Sequence, residues 1–208
     1  NKIVIFSGEA KFDSPNELKV LGKDQCLIRA KYTIIATGSD ILNIPAFPCD
    51  GKRIHHSTSI LELKELPKTL AIIGGGYIGC EFASLFAELG VKVTIIEALP
   101  MIIQMQGKAL SSGLSASFKK KGIDLLVDST VEKIETGENS LHIHLKGGKN
   151  IESEMALVSV GRRIHSEGLG LEKIGLKVGE KGEIKINDQM QTDLPNIYAI
   201  GDVTGKAM

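Results

Sequence analysis

Short apolar runs bounded by Gly, Pro or Asn recur along the chain, and only two stretches carry a helical period. Residues 3–6, 17–21, 25–30 and 32–36 read as strands of a meander that ends in a buried apolar strand, so residues 1–38 are nearly all β. Pro45, Pro48 and Gly51 break the pattern, residues 57–66 have a short helical look, and the segment from 39 to 66 reads as a connector. Residues 69–73 and 91–96 are buried-strand patterns flanking the strongest helix, 77–89. There Ile78, Phe82, Leu85, Phe86 and Leu89 repeat at helical spacing, and Gly90 follows as a C-terminal stop. That spacing predicts one buried face. A second helix is predicted over 108–121, with Lys119, Lys120 and Lys121 at the end where the helix dipole favours cations. From Asp124 the chain is strand-like again. Leu141, Ile143 and Leu145 alternate with His142 and His144, Gly147-Gly148 makes a turn, and 155–160 is an apolar run. The whole predicts an α/β fold without repeats.

The chain has 208 residues, 25 basic and 25 acidic side chains and a formal charge of zero. That balance lacks the basic footprint of a nucleic-acid binder or a polybasic membrane anchor. No apolar stretch approaches the ~20 residues that cross a bilayer, so the pattern predicts a soluble chain. Cys26, Cys49 and Cys80 are odd in number and widely spaced, with no Cys-x-x-Cys and no Cys/His cluster of zinc type. They predict a reducing compartment and a cytoplasmic protein. The first residue is Asn1 and the last, Met208, comes shortly after a strand pattern; both read as cuts from a longer protein.

The chemistry concentrates where residues 69–73 run into Gly74-Gly75-Gly76-Tyr77-Ile78-Gly79 and then into the strong helix. Strand, G-x-G-x-x-G and helix are the parts of a dinucleotide cradle. Gly74 permits the tight turn, Gly76 lets backbone approach a diphosphate, and Gly79 lets helix and strand pack closely. The free N–H groups of the helix start bind the anion without Lys or Arg. Glu97 ends the next strand, about 20 residues on, where a carboxylate accepts from the adenosine-ribose hydroxyls and repels the 2′-phosphate of NADP. The competing readings are a glycine-rich packing turn and a solvated loop acid. His55, His56, His142, His144 and His165 read as solvated or locally bonded. No third ligand stands beside the His142/His144 pair, and no metal is expected.

Four segments in order, Ile34-Ile35-Ala36-Thr37-Gly38-Ser39, Gly74 to Glu81, Val160-Gly161-Arg162-Arg163 and Asn196 to Asp202, resemble the pyridine nucleotide-disulfide oxidoreductases, most closely the branch that oxidises dihydrolipoamide. The resemblance covers essentially the whole chain. It implies a Rossmann-like parallel sheet with an antiparallel β-meander crossover, plus β-rich remnants of an FAD-binding domain. Residues 1–40 would be an FAD-domain remnant, 41–66 a connector, 67–189 the NAD-binding domain and 190–208 the return to the FAD domain. In the NAD half the resemblance assigns Gly74, Gly75, Gly76, Ile78 and Gly79 to the cradle and Glu97 to the ribose. Val131 and Gly161 go to the adenine and ribose end, and Tyr77 and Glu81 lie nearer the nicotinamide. A Tyr at this turn gates the nicotinamide pocket in some relatives, and here it reads equally as a first-turn residue packed on the sheet. In the flavin half it assigns Ala10 to the FAD adenine, Thr37, Gly38 and Ser39 to a turn near the flavin nucleotide, Asp202 to a ribityl hydroxyl and Met208 to a further flavin contact.

The family's flavin G-x-G-x-x-G, Cys-x4-Cys redox disulfide and C-terminal His-Glu pair are all absent from these 208 residues. The expectation is therefore the NAD-binding portion of an enzyme that passes electrons from dihydrolipoamide through a disulfide and FAD to NAD. Such an enzyme is a homodimer serving the lipoyl-bearing acyltransferase subunits of 2-oxoacid dehydrogenase complexes. The portion alone is expected to bind NAD without turnover. The alternatives are another family member, such as glutathione or mercuric reductase, transhydrogenase or NADH oxidase, and a non-catalytic NAD-binding module.

Overall fold

The hydrophobic pattern resolves into two compact units in the computed structural model, which describes residues 3–206. Residues up to Asp40 and from Arg162 onward form one, and Ile41–Gly161 form the other. The chain leaves the first unit, builds the second and returns.

The outgoing leg holds β1 (Glu9–Ser14), β2 (Glu17–Leu21) and β3 (Cys26–Arg29), an antiparallel meander, followed by β4 (Thr33–Ile35) and β5 (Ser39–Ile41). The strand expected at residues 3–6 does not form. The meander starts at Glu9 instead, and no described strand pairs with Ile3, Val4, Ile5 or Phe6, which lie exposed. A run of β-formers supplies propensity, but a strand needs a partner ladder to satisfy its backbone.

The second unit holds β6 (Ile54–His55), β7 (Thr69–Ile73), α1 (Tyr77–Glu88), β8 (Lys92–Ile96), α2 (Lys108–Lys120), β9 (Asp124–Leu126), β10 (Val131–Thr136), β11 (Leu141–Leu145), β12 (Asn150–Ser153) and β13 (Met155–Val158). Its sheet is wholly parallel, in the order β6-β13-β7-β8-β9. Helices α1 and α2 cross over from β7 to β8 and from β8 to β9, as parallel strands require. The last crossover, from β9 to β13, is the antiparallel meander β10-β11-β12. Side-chain alternation then divides the sheet between two cores. Leu70 and Ile72 of β7, Val93 and Ile95 of β8 and Leu157 of β13 face Cys80, Ala83, Phe86 and Phe118 of the helices. Ala71, Ile73, Ile96, Ala156 and Val158 face Leu141, Ile143 and Leu145 of the meander. This is a three-layer fold in which each buried Leu, Ile or Val is worth ~1.5–3 kcal/mol.

Helix α1 forms where expected, with Phe86 buried and Phe82 packed against the core as predicted, but the buried face is otherwise shifted from the predicted one. Gly79, Cys80, Ala83 and Phe86 are its buried residues, whereas Leu85 and Leu89 are about half exposed. The cause lies at Gly79, where a Cβ would fall 2.0 Å from the Gly74 carbonyl oxygen. A helix that close to the sheet near its start has room there only for small side chains, Gly79, Cys80 and Ala83, with Phe86 packing further along, and Leu85 and Leu89 are turned outward.

The return leg supplies β14 (Arg162–Ile164) and β15 (Ile197–Ala199), and β15 pairs in parallel with β4. Here the boundary differs from the expected one. Residues 162–189 fall in the first unit, because Ile164, Leu171, Ile174, Leu176 and Ile184 share one core with Phe12, Ile35, Ile197, Ala199 and Val203. Residues 41–66 likewise belong to the second unit, with β6 in its sheet and Ile54 and Ile60 in its cores.

Candidate functional site

Strand β7 ends at the carboxyl edge of the parallel sheet, where the elbow begins. Gly74 has φ +104°, and a Cβ there would meet the Ser159 carbonyl oxygen at 2.5 Å, so only glycine makes this turn. Its N–H donates to the Ile96 carbonyl at 2.9 Å, tying the turn to β8. The Ser159 hydroxyl, just past β13, lies 3.1 and 3.0 Å from the Ile73 and Gly74 carbonyls and can donate to either. The Gly75 N–H donates to Glu97 Oε2 at 2.5 Å, and the Leu99 N–H donates to Glu97 Oε1 at 2.8 Å. A Cβ on Gly76 would meet nothing within 4 Å, so the backbone there is open to a ligand. Gly76 caps α1 without a side-chain bond, which leaves the first-turn N–H groups for an anion.

The elbow opens into a cleft of about 440 Å³, lined by Gly74, Gly76 and Glu97, by Ser129, Thr130 and Val131 after β9, by Ser159, Val160 and Gly161 after β13, and by Phe47. It lies across the carboxyl ends of β7, β8 and β13, at the point where the strand order reverses direction, which is where open α/β sheets bind ligands. Five expected residues, Gly74, Gly76, Glu97, Val131 and Gly161, therefore share one cavity. Gly75 is buried and Gly79 packs beneath the elbow, shaping it from below. Ile78, Tyr77 and Glu81 do not line the cavity. Ile78 is partly buried on α1, Glu81 is exposed, and Tyr77 is about half exposed, its hydroxyl bonded by the Gln106 side-chain amide.

In the first unit, a groove of about 550 Å³ runs past Gly8, Ala10, Thr37 and His165. The Thr37 hydroxyl donates to the His165 carbonyl at 2.6 Å, and the His165 N–H donates to the Gly38 carbonyl at 3.0 Å. Beside them Ser39 donates its hydroxyl to Asp202 Oδ2 at 2.6 Å, and Arg162 donates to the Ser39 hydroxyl at 2.6 Å and to its carbonyl at 2.5 Å. Ala10 and Thr37 thus line one groove, Gly38 is bonded to the His165 that also lines it, and Ser39 and Asp202 form a bonded pair. Met208 lies outside the described residues.

The other titratable groups are locally engaged. His55 is buried between Ser59 and the Lys52 carbonyl. His142 and His144 share a strand face and pair with Glu152 and Glu135. No group of three metal-ligating side chains occurs among the described residues, and no described helix is long and apolar enough to cross a membrane. The Cys80 thiol donates to the Gly75 carbonyl, and burial, with the charges of Glu97 and Glu81, pushes its pKa up to about 11, so it packs rather than reacts.

Several cleft residues have no motif in the sequence: Phe47, Ser129, Thr130 and Ser159. The signal that finds Ser159 and Ser129 is positional, since both follow the carboxyl end of a parallel strand.

A three-layer Rossmann-like fold with a glycine elbow and an acid at the next strand end defines the class. The family model for pyridine nucleotide-disulphide oxidoreductases matches residues 1–208. The dihydrolipoyl dehydrogenase of Chlamydia pneumoniae is 43% identical over 206 residues, covering 99% of this chain and 44% of that protein. The soluble pyridine nucleotide transhydrogenase of Serratia proteamaculans is 37% identical over 207 residues, again 99% and 44%. In structure the chain is similar to the HOCl-induced flavoprotein disulfide reductase RclA of Escherichia coli, with a TM-score of 0.86 at 33% identity over 97% of this chain and 46% of that one. The chain belongs to the pyridine nucleotide-disulphide oxidoreductase family, and it spans about 44% of the length of the curated relatives it matches.

Proposed function

We propose that the second unit is the NAD-binding portion of a dihydrolipoyl dehydrogenase and that the first unit is part of its FAD-binding domain. The observation that carries this reading is the shared peptide of elbow and acid: Gly75 donates to Glu97 while Gly76 beside it is open to the cleft. The residues fit the dinucleotide. Gly76 and the first turn of α1 would hold the diphosphate by backbone N–H groups. Each Glu97 oxygen accepts one backbone N–H and keeps a second lone pair for a ribose hydroxyl. Val131 and Gly161 would flank the adenosine end. For the flavin, Ala10 and Thr37 line a groove of suitable size, and Asp202 accepts from Ser39 at Oδ2 while no described residue bonds its Oδ1, which is open to a hydroxyl.

Bound together, FAD and NAD supply hydride transfer between flavin and nicotinamide. The part of this chain is to hold the dinucleotide in place and to select it by charge. Glu97 favours NAD, because a carboxylate at that point repels a 2′-phosphate. In the whole protein the reading extends to a redox disulfide, a homodimer and lipoyl-bearing partners of 2-oxoacid dehydrogenase complexes, in a cytoplasmic setting. The transhydrogenase likeness is a second reading, since that relative is 37% identical over 207 residues of the same chain.

Fluorescence titration of the 208-residue chain tests the proposal. NADH should bind, and NADPH should bind at least about tenfold more weakly. Lipoamide should yield no NADH, since no Cys-x4-Cys is present. Equal affinity for the two nucleotides would remove Glu97 as selector, and lipoamide turnover by this chain would overturn the assignment of its role.

A further inference from the structure

The loop between β8 and α2 holds a conformation that its sequence does not favour. Ile103 sits at φ 41°, ψ 41°, in the left-handed region, where a β-branched side chain is an outlier. A strained residue of this kind persists where its surroundings over-determine it, often beside a site. Here the surroundings are the elbow itself. The Ile103 N–H donates to the Gly75 carbonyl at 2.7 Å. Ile102, fully buried, places its γ2 methyl 2.6 Å from where a Gly75 Cβ would stand. The Gln106 amide reaches the Tyr77 hydroxyl one turn further on. Gly75 is therefore held on both sides, its N–H by Glu97 and its carbonyl by Ile103 at 2.7 Å, with the weaker Cys80 thiol donor at 3.4 Å.

We propose that Ile103 is a positioning residue for the cleft: its left-handed backbone aims the N–H that pins the Gly75 carbonyl and so sets the orientation in which Gly76 meets a dinucleotide diphosphate. This rests on the dinucleotide reading given above. It assigns the task to the backbone of residue 103, not to its side chain. Ordinary β or α geometry at 103 would turn that N–H away, the Gly75 carbonyl would keep only the weak thiol bond from Cys80 at 3.4 Å, and the diphosphate would meet a looser turn.

Two substitutions separate backbone from side chain. Ile103→Asn keeps the N–H and tolerates the left-handed region, whereas Ile103→Pro removes the N–H and forces φ near −65°. The first readout needs no ligand. By NMR hydrogen exchange on the 208-residue chain, the Gly75 amide in Ile103→Pro should exchange at least about tenfold faster, with the Ala83 and Phe86 amides of α1 unchanged, and Ile103→Asn should match the parent. The second readout is NADH calorimetry. Ile103→Pro should raise Kd about tenfold at unchanged stoichiometry, while Ile103→Asn stays within about threefold. A merely structural role would lower the stoichiometry instead.

If Ile103→Pro does not fold, Gly75→Ala takes its place, because the new methyl meets Ile102. Its Gly76 amide should exchange faster than in the parent, and adding Ile102→Ala should restore at least half of that change on a logarithmic scale. Unchanged Gly75 exchange in Ile103→Pro, equal effects of Asn and Pro, or no rescue by Ile102→Ala would overturn the proposal. Absence of NADH binding by the parent chain would overturn the dinucleotide reading alone, with the exchange data still deciding the role of Ile103.

Discussion

At the scale of single residues, Glu97 carries the most weight, because it is at once part of the elbow and part of the cleft. A charge-assisted bond to a ligand hydroxyl is worth ~1.5–3 kcal/mol, so Glu97→Ala should weaken NADH binding by about tenfold or more in a fluorescence titration. Unchanged affinity would take the acid out of the site. Asp50 makes a separate, purely structural prediction. Burial opposes its charge, but the N–H groups of Ile54, Lys52 and Arg53 all donate to its Oδ1 and bring the pKa below 3.8 on balance. A lowered folded-state pKa stabilises the protein above 3.8, and that contribution disappears as the pH falls through the folded value. Urea unfolding should show Asp50→Ala less stable than the parent at pH 7, by no more than about 1 kcal/mol because the carboxylate is solvent-screened, with the gap narrowing below pH 3.8. A gap that widens on acidification would contradict this.

At the scale of elements, α1 shows why a helix and its buried face are separate questions. Its start and stop were legible: Gly76 precedes Tyr77, and Gly90 takes φ +85° just beyond the end. Its orientation was not. Counting large apolar residues picks out Ile78, Phe82, Leu85, Phe86 and Leu89, of which only Phe86 is buried, while the closest contact with the sheet is made by Gly79, Cys80 and Ala83, since closeness of approach decides which side chains fit. Ala83 is fully buried, so Ala83→Leu should lower stability by ~1–3 kcal/mol through overpacking. Leu85→Lys, on the outer face, should stay within ~0.5 kcal/mol. Thermal unfolding of the two variants checks both, and the reverse ranking would restore the expected face. The strand pattern at residues 3–6 makes the same point, because its propensity for β structure finds no neighbouring ladder among the described residues.

At the scale of the whole molecule, the second unit contains two cores of its own and every residue that lines the cleft. A polypeptide of residues 41–161 should therefore fold alone and bind NADH within about threefold of the 208-residue chain. Circular dichroism and titration test this, and an unfolded or non-binding polypeptide would show that the first unit is needed. The expected limits of 67 and 189 were less accurate because glycine and proline punctuation marks turns, not the core to which a strand belongs. Residues 41–66 lack a strong period, yet Ile54 adds an edge strand and Ile60 enters the helix-side core. Residues 162–189 look like a continuation of the second unit in sequence, and it is their packing with Phe12 and Ile197 that assigns them to the first.

What the chain's order of residues determined was local and repetitive: strand, elbow and helix at 69–89, the acid at 97, and the family signature in four segments. Each depends on backbone conformation or spacing along a few residues, and such constraints are written where they act. Only the folded structure decided which face of α1 meets the sheet, where each unit ends, that Ser129 and Ser159 join the cleft, and that Ile103 holds the elbow from a loop beyond the next strand. Those facts depend on how closely distant segments approach one another, a distance that packing sets and that no local pattern records.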